Sequence, residues 1–300
     1  MNIKKYPFLF LMVLPGLLYF IIFKYLPMYG IVIAFQDYLP YLGIKKIVVD
    51  ANWVGFKHFT DFFQSYYIIR IIRNTLLIRL YKLALETSCA IILSLLINEV
   101  VNIRFKKIVQ TISYLPHFLS WVIIAGIMRV VLSSNGPINM ILETLGNKSP
   151  IGFLISKGLF VPIIVLSSAW QSVGWSTIVY LAAISGISPT HYESAEIDGA
   201  NRFQAMWHIT VPSIMNIIVI MLILSLGKIF EAGFEQILLL YSPAVYEVSD
   251  VIDTYVYREG LLNAKYSYGT AVGLFKSIIG LIFVLAANWG SKRLGHTALW

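Results

Sequence analysis

The chain has 300 residues, 58% of them hydrophobic, and a mean hydropathy of +0.76, which is more apolar surface than one water-surrounded core of this size can hide. Only 13% of residues are charged, about half the roughly 25% usual in soluble proteins. The net charge of +8 collects in short segments such as Lys4, Lys5, Arg104, Lys106, Lys107, Lys292 and Arg293, as at the flanks of membrane spans, and with no basic helix interleaved with stacking aromatics it argues against nucleic acid as a partner.

Runs of about 20 apolar residues, the length a helix needs to cross roughly 30 Å of hydrocarbon, occur six times. The first, residues 9–35, follows Lys4 and Lys5; it is too long for a signal-peptide core and lacks a small-x-small cleavage site, so it reads as a retained span. Residues 36–74 then connect to the second. Within them the stretch from Gly55 to Tyr67, GFKHFTDFFQSYY, alternates aromatic and polar residues, which suits a helix in the membrane interface or an aromatic anchor belt. The second span covers residues 75–98 and contains Cys89, the only cysteine, which excludes an intramolecular disulfide and a cysteine metal cluster.

A basic loop leads to the third span, 109–132, and a segment rich in turn formers, including Asn135, Gly136, Pro137, Gly146, Asn147 and Pro150, leads to the fourth, 159–187. The fifth and sixth spans are 214–240 and 269–289. The expected fold is all-α: a polytopic membrane helical bundle forming a single domain over residues 1–300. Placing the N-terminus in the cytoplasm puts the C-terminus, the Arg104–Lys107 loop and the 188–212 loop on the same side, in accord with the shorter basic loops there. His58, His117, His191, His208 and His296 show no ligand spacing, and no metal site is expected.

The loop SPTHYESAEIDGANRFQAMWHITVP, residues 188–212, is polar and carries its own punctuation. Ser188 suits an N-cap with Pro189 at the first helical position. Gly199 suits the left-handed turn that ends this helix, and Asn201 with Gln204 forms a capping-box pattern for a second one. Tyr192, Ala195, Glu196 and Gly199 share one side of the first helix, a mixed face that could dock in a groove on another protein.

These residues resemble a known motif. Glu193, Ser194, Ala195, Asp198, Gly199, Ala200, Ile209 and Pro212 are similar to the EAA loop of ATP-binding-cassette (ABC) importer permeases, with Ser194 in place of the second alanine and Trp207 where an aromatic is usual. The resemblance extends along nearly the whole chain to carbohydrate-uptake permeases of the maltose type, in the branch serving complex plant or algal oligosaccharides. Its marks include LPGLLYFIIFKYLPMYG from Leu14, IAFQDY from Ile33, RNTLLIRLYKL from Arg73 and GFEQILLLYSPAVYEVSDVIDTYVYREGL from Gly233.

What the resemblance implies is a six-span permease of the bacterial cytoplasmic membrane that imports a sugar or oligosaccharide by alternating access. Its loop would be a coupling helix seated in an ATPase subunit, with Tyr192, Glu193, Ser194, Ala195, Glu196, Asp198, Gly199, Ala200 and Pro212 as the coupling residues. The implied partners are a second homologous permease, two ATP-binding-cassette ATPase subunits, an extracytoplasmic solute-binding lipoprotein and membrane lipid. ATP and Mg would sit on the ATPase and no cofactor on this chain, which has no phosphate-binding loop, nucleophile elbow or zinc-binding HExxH. A permease for an amino acid, peptide or anion would share the coupling loop and stands as the alternative.

Ionisable groups inside spans need a partner or an aqueous cavity, since each costs at least about 2.5 kcal/mol at the bilayer centre. Lys24, Arg79, Lys82, Glu86, Lys228, Glu231, Glu235 and Lys276 qualify. The spacing allows Lys82 to pair with Glu86, and Lys228 with Glu231. Two readings stay open: internal pairing, or a substrate path lined by Lys82, Lys228, Glu231 and Glu235 together with Trp170, Gln171, Trp175 and Tyr180. Sugars suit the second, packing C–H faces on aromatic rings and hydroxyls on polar groups, whereas Trp170 and Trp175 could equally anchor or pack.

Overall fold

The computed structural model describes residues 7–39, 52–147 and 149–293; Lys4, Lys5 and His296 lie outside them. Among the described residues the one β pairing is an isolated bridge between Gln36 and Trp53, so the all-α expectation holds. The main helices are α1 (Leu11–Phe35), α2 (Lys57–Phe63), α3 (Ile68–Glu99), α4 (Ile103–Phe118), α5 (Trp121–Val131) and α6 (Pro137–Thr144), followed by α7 (Lys157–Ser185), α8 (Pro189–Ile197), α9 (Arg202–Leu226), α10 (Phe234–Leu240) and α11 (Tyr266–Arg293). Of these, α1, α3, α7, α9 and α11 are each long and apolar enough to cross a membrane. On α1, Leu11, Met12, Phe20 and Phe23 are all bare, an arrangement that fits lipid and not water.

The third expected span is not one helix. α4 and α5 pass the membrane test only as a pair and meet at 97°. Pro116 tightens the end of α4 into a 3₁₀ turn, and the chain is then extended at Leu119 and Ser120. Ser120 Oγ caps α5 by accepting from Ile123 N, 3.4 Å. The fifth expected span is also divided: α9 stops at Leu226, the chain turns, and Gly233 at φ +95° starts α10 separately. Glycine is needed there because a left-handed φ is strained for other residues.

The chain packs as two units, one of Met1–Ile68 with Tyr255–Ser277 and one of Ile69–Thr254 with Ile278–Trp300. In the first, the stretch after Gly55 is a short helix whose Phe62 is buried and packs at a tilt on Phe275, ring centroids 5.5 Å apart, while Phe35, Phe56 and Phe59 form a cluster of their own. Among the described residues of the second, apolar side chains gather in clusters. One joins Ile78, Ala125, Phe160, Ile164, Ile237 and Leu240, holding α10 against α5 and α7; another joins Ala90, Leu95, Tyr180, Ile184, Ile214 and Ile218. α7 approaches α4 so closely that a Cβ on Gly174 would stand 1.9 Å from Ser113 O.

Candidate functional site

Two places gather the chemistry that the sequence singles out: the hairpin between α7 and α9, and a polar cluster around Lys82.

The hairpin is held by its own backbone. Ser188 takes the N-cap position with Pro189 after it, but its hydroxyl pairs with Thr190 Oγ1 at 2.8 Å and does not cap the backbone. α8 ends in a left-handed turn at Gly199, φ +78°. Gly199 N donates to Glu196 O, 3.0 Å, and Ala200 N to Ala195 O, 2.9 Å, which satisfies carbonyls that a helix end leaves open. The capping box is complete: Gln204 N donates to Asn201 Oδ1 at 2.9 Å and Asn201 N to Gln204 Oε1 at 2.8 Å. α9 then passes through a π-turn, Met206–Thr210, ahead of Pro212.

The shared face divides. Tyr192 and Ala195 are half-buried, and Tyr192 OH meets Thr210 Oγ1 at 2.9 Å, so these two brace the hairpin from within. Glu193, Ser194, Glu196, Asp198 and Gly199 are exposed. Beside them Ile197, Phe203 and Trp207 stand 87%, 72% and 60% exposed. Three large apolar side chains thus stand bare on an otherwise polar hairpin. Of these the sequence pointed only to Trp207.

Lys82 is buried on α3. Its Nζ donates to Ala232 O at 2.7 Å and Gln236 Oε1 at 2.5 Å, and Gln236 Nε2 in turn donates to Ile164 O and Ser167 Oγ, both 2.8 Å. Glu86 accepts from Ser168 Oγ at 2.6 Å. The expected Lys82–Glu86 pair is therefore replaced by bonds that tie α3 to the broken segment before α10 and to α7. The break explains the change, because it brings the Ala232 carbonyl within reach of the ammonium.

The family described as binding-protein-dependent transport system inner membrane component matches residues 87–296. This chain belongs to that family. The polygalacturonan/rhamnogalacturonan transport system permease protein YteP of Bacillus subtilis (strain 168) is 46% identical over 98% of this chain and 90% of its own length. A solved bacterial ABC transporter involved in the import of the acidic polysaccharide alginate matches with a TM-score of 0.87 at 44% identity, covering 97% of both chains. A bacterial alginate ABC transporter in complex with an alginate pentasaccharide-bound periplasmic protein matches at 0.89 and 43% identity, over 99% of this chain and 98% of the other. The chain is thus the inner-membrane permease subunit of an ABC importer, a transport component and not an enzyme.

Within this permease the remaining residues of the expected path are scattered. Lys228, Glu231 and Glu235 are exposed, the first two in the turn after α9 and not inside a span. Gln236, one place along from Glu235, is the residue turned inward. Tyr180 is a core side chain at 2% exposure. Gln171 Nε2 donates to Leu119 O at 3.0 Å and so braces the α4–α5 elbow. Trp175 stacks on His117, centroids 4.6 Å apart and planes 6° from parallel, while Trp170, half-exposed, lines an apolar groove with Ile124, Met128 and Leu166.

Proposed function

We propose that this permease imports an oligosaccharide by alternating access driven by a separate ATPase, with α8 as the coupling helix. The observation that carries the coupling role is the exposure of Ile197, Phe203 and Trp207 on a hairpin whose central turn is closed by the Gly199 and Ala200 backbone bonds and the Asn201–Gln204 capping box. A rigid, self-satisfied hairpin transmits a push, and bare apolar side chains give it something to seat in a partner's cleft. Glu193, Ser194, Glu196, Asp198, Gly199 and Ala200 form the polar surround, Tyr192 and Ala195 lock α8 to α9, and Pro212 directs α9 into the membrane.

In this scheme the hairpin and both termini face the cytoplasm, and two ATPase subunits carry ATP and Mg. A second homologous permease completes the pathway, and a solute-binding lipoprotein delivers cargo on the opposite side. The saccharide class is supported by the relatives' cargo, polygalacturonan or rhamnogalacturonan for one and alginate for another. The path passes the cluster of buried Lys82 and Gln236 with part-buried Ser167, with Trp170 as an aromatic wall.

Two measurements test this. A reporter fused after Asn201 reports the cytoplasm; an extracytoplasmic readout refutes the topology and the coupling helix with it. The reconstituted importer takes up labelled oligosaccharides in an ATP-dependent way. Uptake of amino acids or peptides instead would overturn the substrate class while leaving the coupling mechanism intact.

A further inference from the structure

Neither the hairpin nor the Lys82 cluster accounts for a third feature. A groove of about 720 Å³ runs between α3 and α7, both of them helices long and apolar enough to cross a membrane. Its walls are largely apolar: Leu77, Ile78 and Leu85 on α3 face Val161, Pro162 and Val165 on α7. On α3 the lining runs from Arg73 to Ser88, about 22 Å along the helix axis. One leaflet of hydrocarbon is roughly 15 Å deep, half of the bilayer's core. The groove is thus long enough to hold an acyl chain through the full depth of a leaflet.

The Arg73 end of the groove is built and basic. Asn74 Nδ2 donates to Glu247 O at 3.0 Å and to Asp250 O at 3.2 Å, and Ile252 N donates to Thr75 Oγ1 at 2.9 Å. These bonds fix the segment 247–252 to the first turns of α3 and set Val248 in the groove wall. Arg73 belongs to the lining and is exposed, its guanidinium donating to Asn74 Oδ1 at the long distance of 3.5 Å. Arg70 stands one turn before it on the same side of α3, and Lys157, the first residue of α7, pairs with Glu247. The hydrogen bond and charge of Lys157, followed by the charges of Arg70 and Arg73, hold Glu247 below its usual 4.5, so the three cations share one neighbourhood. A guanidinium fork matches phosphate oxygens, and basic side chains at the end of a span attract anionic headgroups.

We infer that this groove binds an anionic phospholipid, its phosphate on Arg73 and one acyl chain between α3 and α7. A zwitterionic lipid offers the same chain and phosphate but brings its own cation against Arg70, Arg73 and Lys157; phosphatidylglycerol does not. An apolar helix of a partner subunit would fill the length, but it would cover exposed Arg73 with hydrocarbon and strip its water. In the topology proposed above the basic end lies on the extracytoplasmic side, so the lipid comes from the outer leaflet.

The test uses the complete importer in nanodiscs of equal phosphatidylglycerol and phosphatidylcholine with the same palmitoyl and oleoyl chains. Photoreactive p-benzoylphenylalanine replaces Leu77 in the groove or, as a control, Leu281, which is exposed on α11 and outside the lining. After irradiation, mass spectrometry of this chain counts the adducts of each lipid. At Leu77 phosphatidylglycerol adducts exceed phosphatidylcholine adducts about fivefold, the effect of one basic residue on an anionic headgroup, while at Leu281 the two follow the bulk ratio. Arg73→Gln brings the ratio at Leu77 close to one, and Arg73→Lys, which keeps the charge, retains most of the preference. Ala84→Trp, which fills the groove, lowers the adducts of both lipids, and added inorganic phosphate leaves the ratio as it was. The inference is overturned by equal adducts at Leu77, by a preference that survives Arg73→Gln, or by adducts that survive Ala84→Trp. It is overturned too if phosphate abolishes the preference, which makes the site one for a free anion, or if Leu77 cross-links to a second permease in place of lipid.

Discussion

Valine at Gly199 perturbs the hairpin without touching the spans. The glycine sits at φ +78°, and no heavy atom lies within 4 Å of the position a Cβ would take, so the substitution meets no clash and its cost is backbone strain alone. The left-handed region costs an L-residue roughly 1–2 kcal/mol, with β-branched side chains at the upper end. That energy shifts the balance between the closed turn and looser forms about 5- to 30-fold. The bonds at risk are those from Gly199 N to Glu196 O and from Ala200 N to Ala195 O, which set the angle between α8 and α9. Gly199→Val therefore reaches the membrane in normal amount but transports at about a fifth of the rate or less, with ATP hydrolysis no longer raised by loaded binding protein. Proteoliposome uptake and phosphate release, measured on the same preparation, read the two quantities separately. A thiol introduced by Ser194→Cys, at an exposed position of α8, in a Cys89→Ser background cross-links to the ATPase, and less so when Gly199→Val is added. Asparagine tolerates the left-handed region, so Gly199→Asn retains most of the coupling. Equal damage from asparagine and valine would refute the strain argument, and normal transport by Gly199→Val without any Ser194→Cys cross-link would refute the coupling role.

Lys82→Met leaves Ala232 O and Gln236 Oε1 without their donor, a loss of about 1–3 kcal/mol; it should lower the thermal unfolding midpoint in detergent, and an unchanged midpoint would show the cluster to be slack. Gly174→Ala drives a Cβ against the Ser113 carbonyl and destabilises by about 1–3 kcal/mol, whereas Gly273→Ala, with open space around it, is neutral or gains up to about 1 kcal/mol of helix propensity; the same melting assay should rank them in that order. The hydrogen bond from Lys265 holds Glu259 below its usual 4.5 and raises Lys265 above 10.5. The carboxylate's contribution is complete above 4.5 and fades as pH falls through the lowered value, while the lysine's is complete below 10.5 and fades as pH rises through the raised one. Lys265→Met thus costs under about 1 kcal/mol near neutral pH, because the lysine of the pair is largely exposed, and nothing in strong acid; a penalty that grows toward acid would contradict the assignment.

Features written in local residue chemistry were legible in the sequence. Gly199 with Asn201 and Gln204 specify a turn and a cap within a few residues, and the structure forms both. The five long helices follow from apolar length alone. What depends on a break inside an apolar run was not legible. Residues 214–240 read as one continuous span, which put Glu235 in the path; once Gly233 starts a new helix, the phase changes and Gln236 is the residue that turns inward. The GFEQ run carried that signal in its glycine. Lys82 and Glu86 have the spacing of a pair, but long-range carbonyl and hydroxyl partners outcompeted it. Tyr180 looked like a path residue because aromatic type says nothing about which helix face meets the neighbouring helix.

The 97° elbow between α4 and α5 bears on how polar backbone is housed in the bilayer. Extended backbone at Leu119 and Ser120 cannot satisfy its own carbonyls, and each such group left in hydrocarbon costs several kcal/mol. Leu119 O is satisfied by Gln171, which lies 52 residues further along the chain. The elbow therefore borrows the partner of its backbone from α7, and the bend and the packing of α7 are a single structural commitment that Gln171 makes for both.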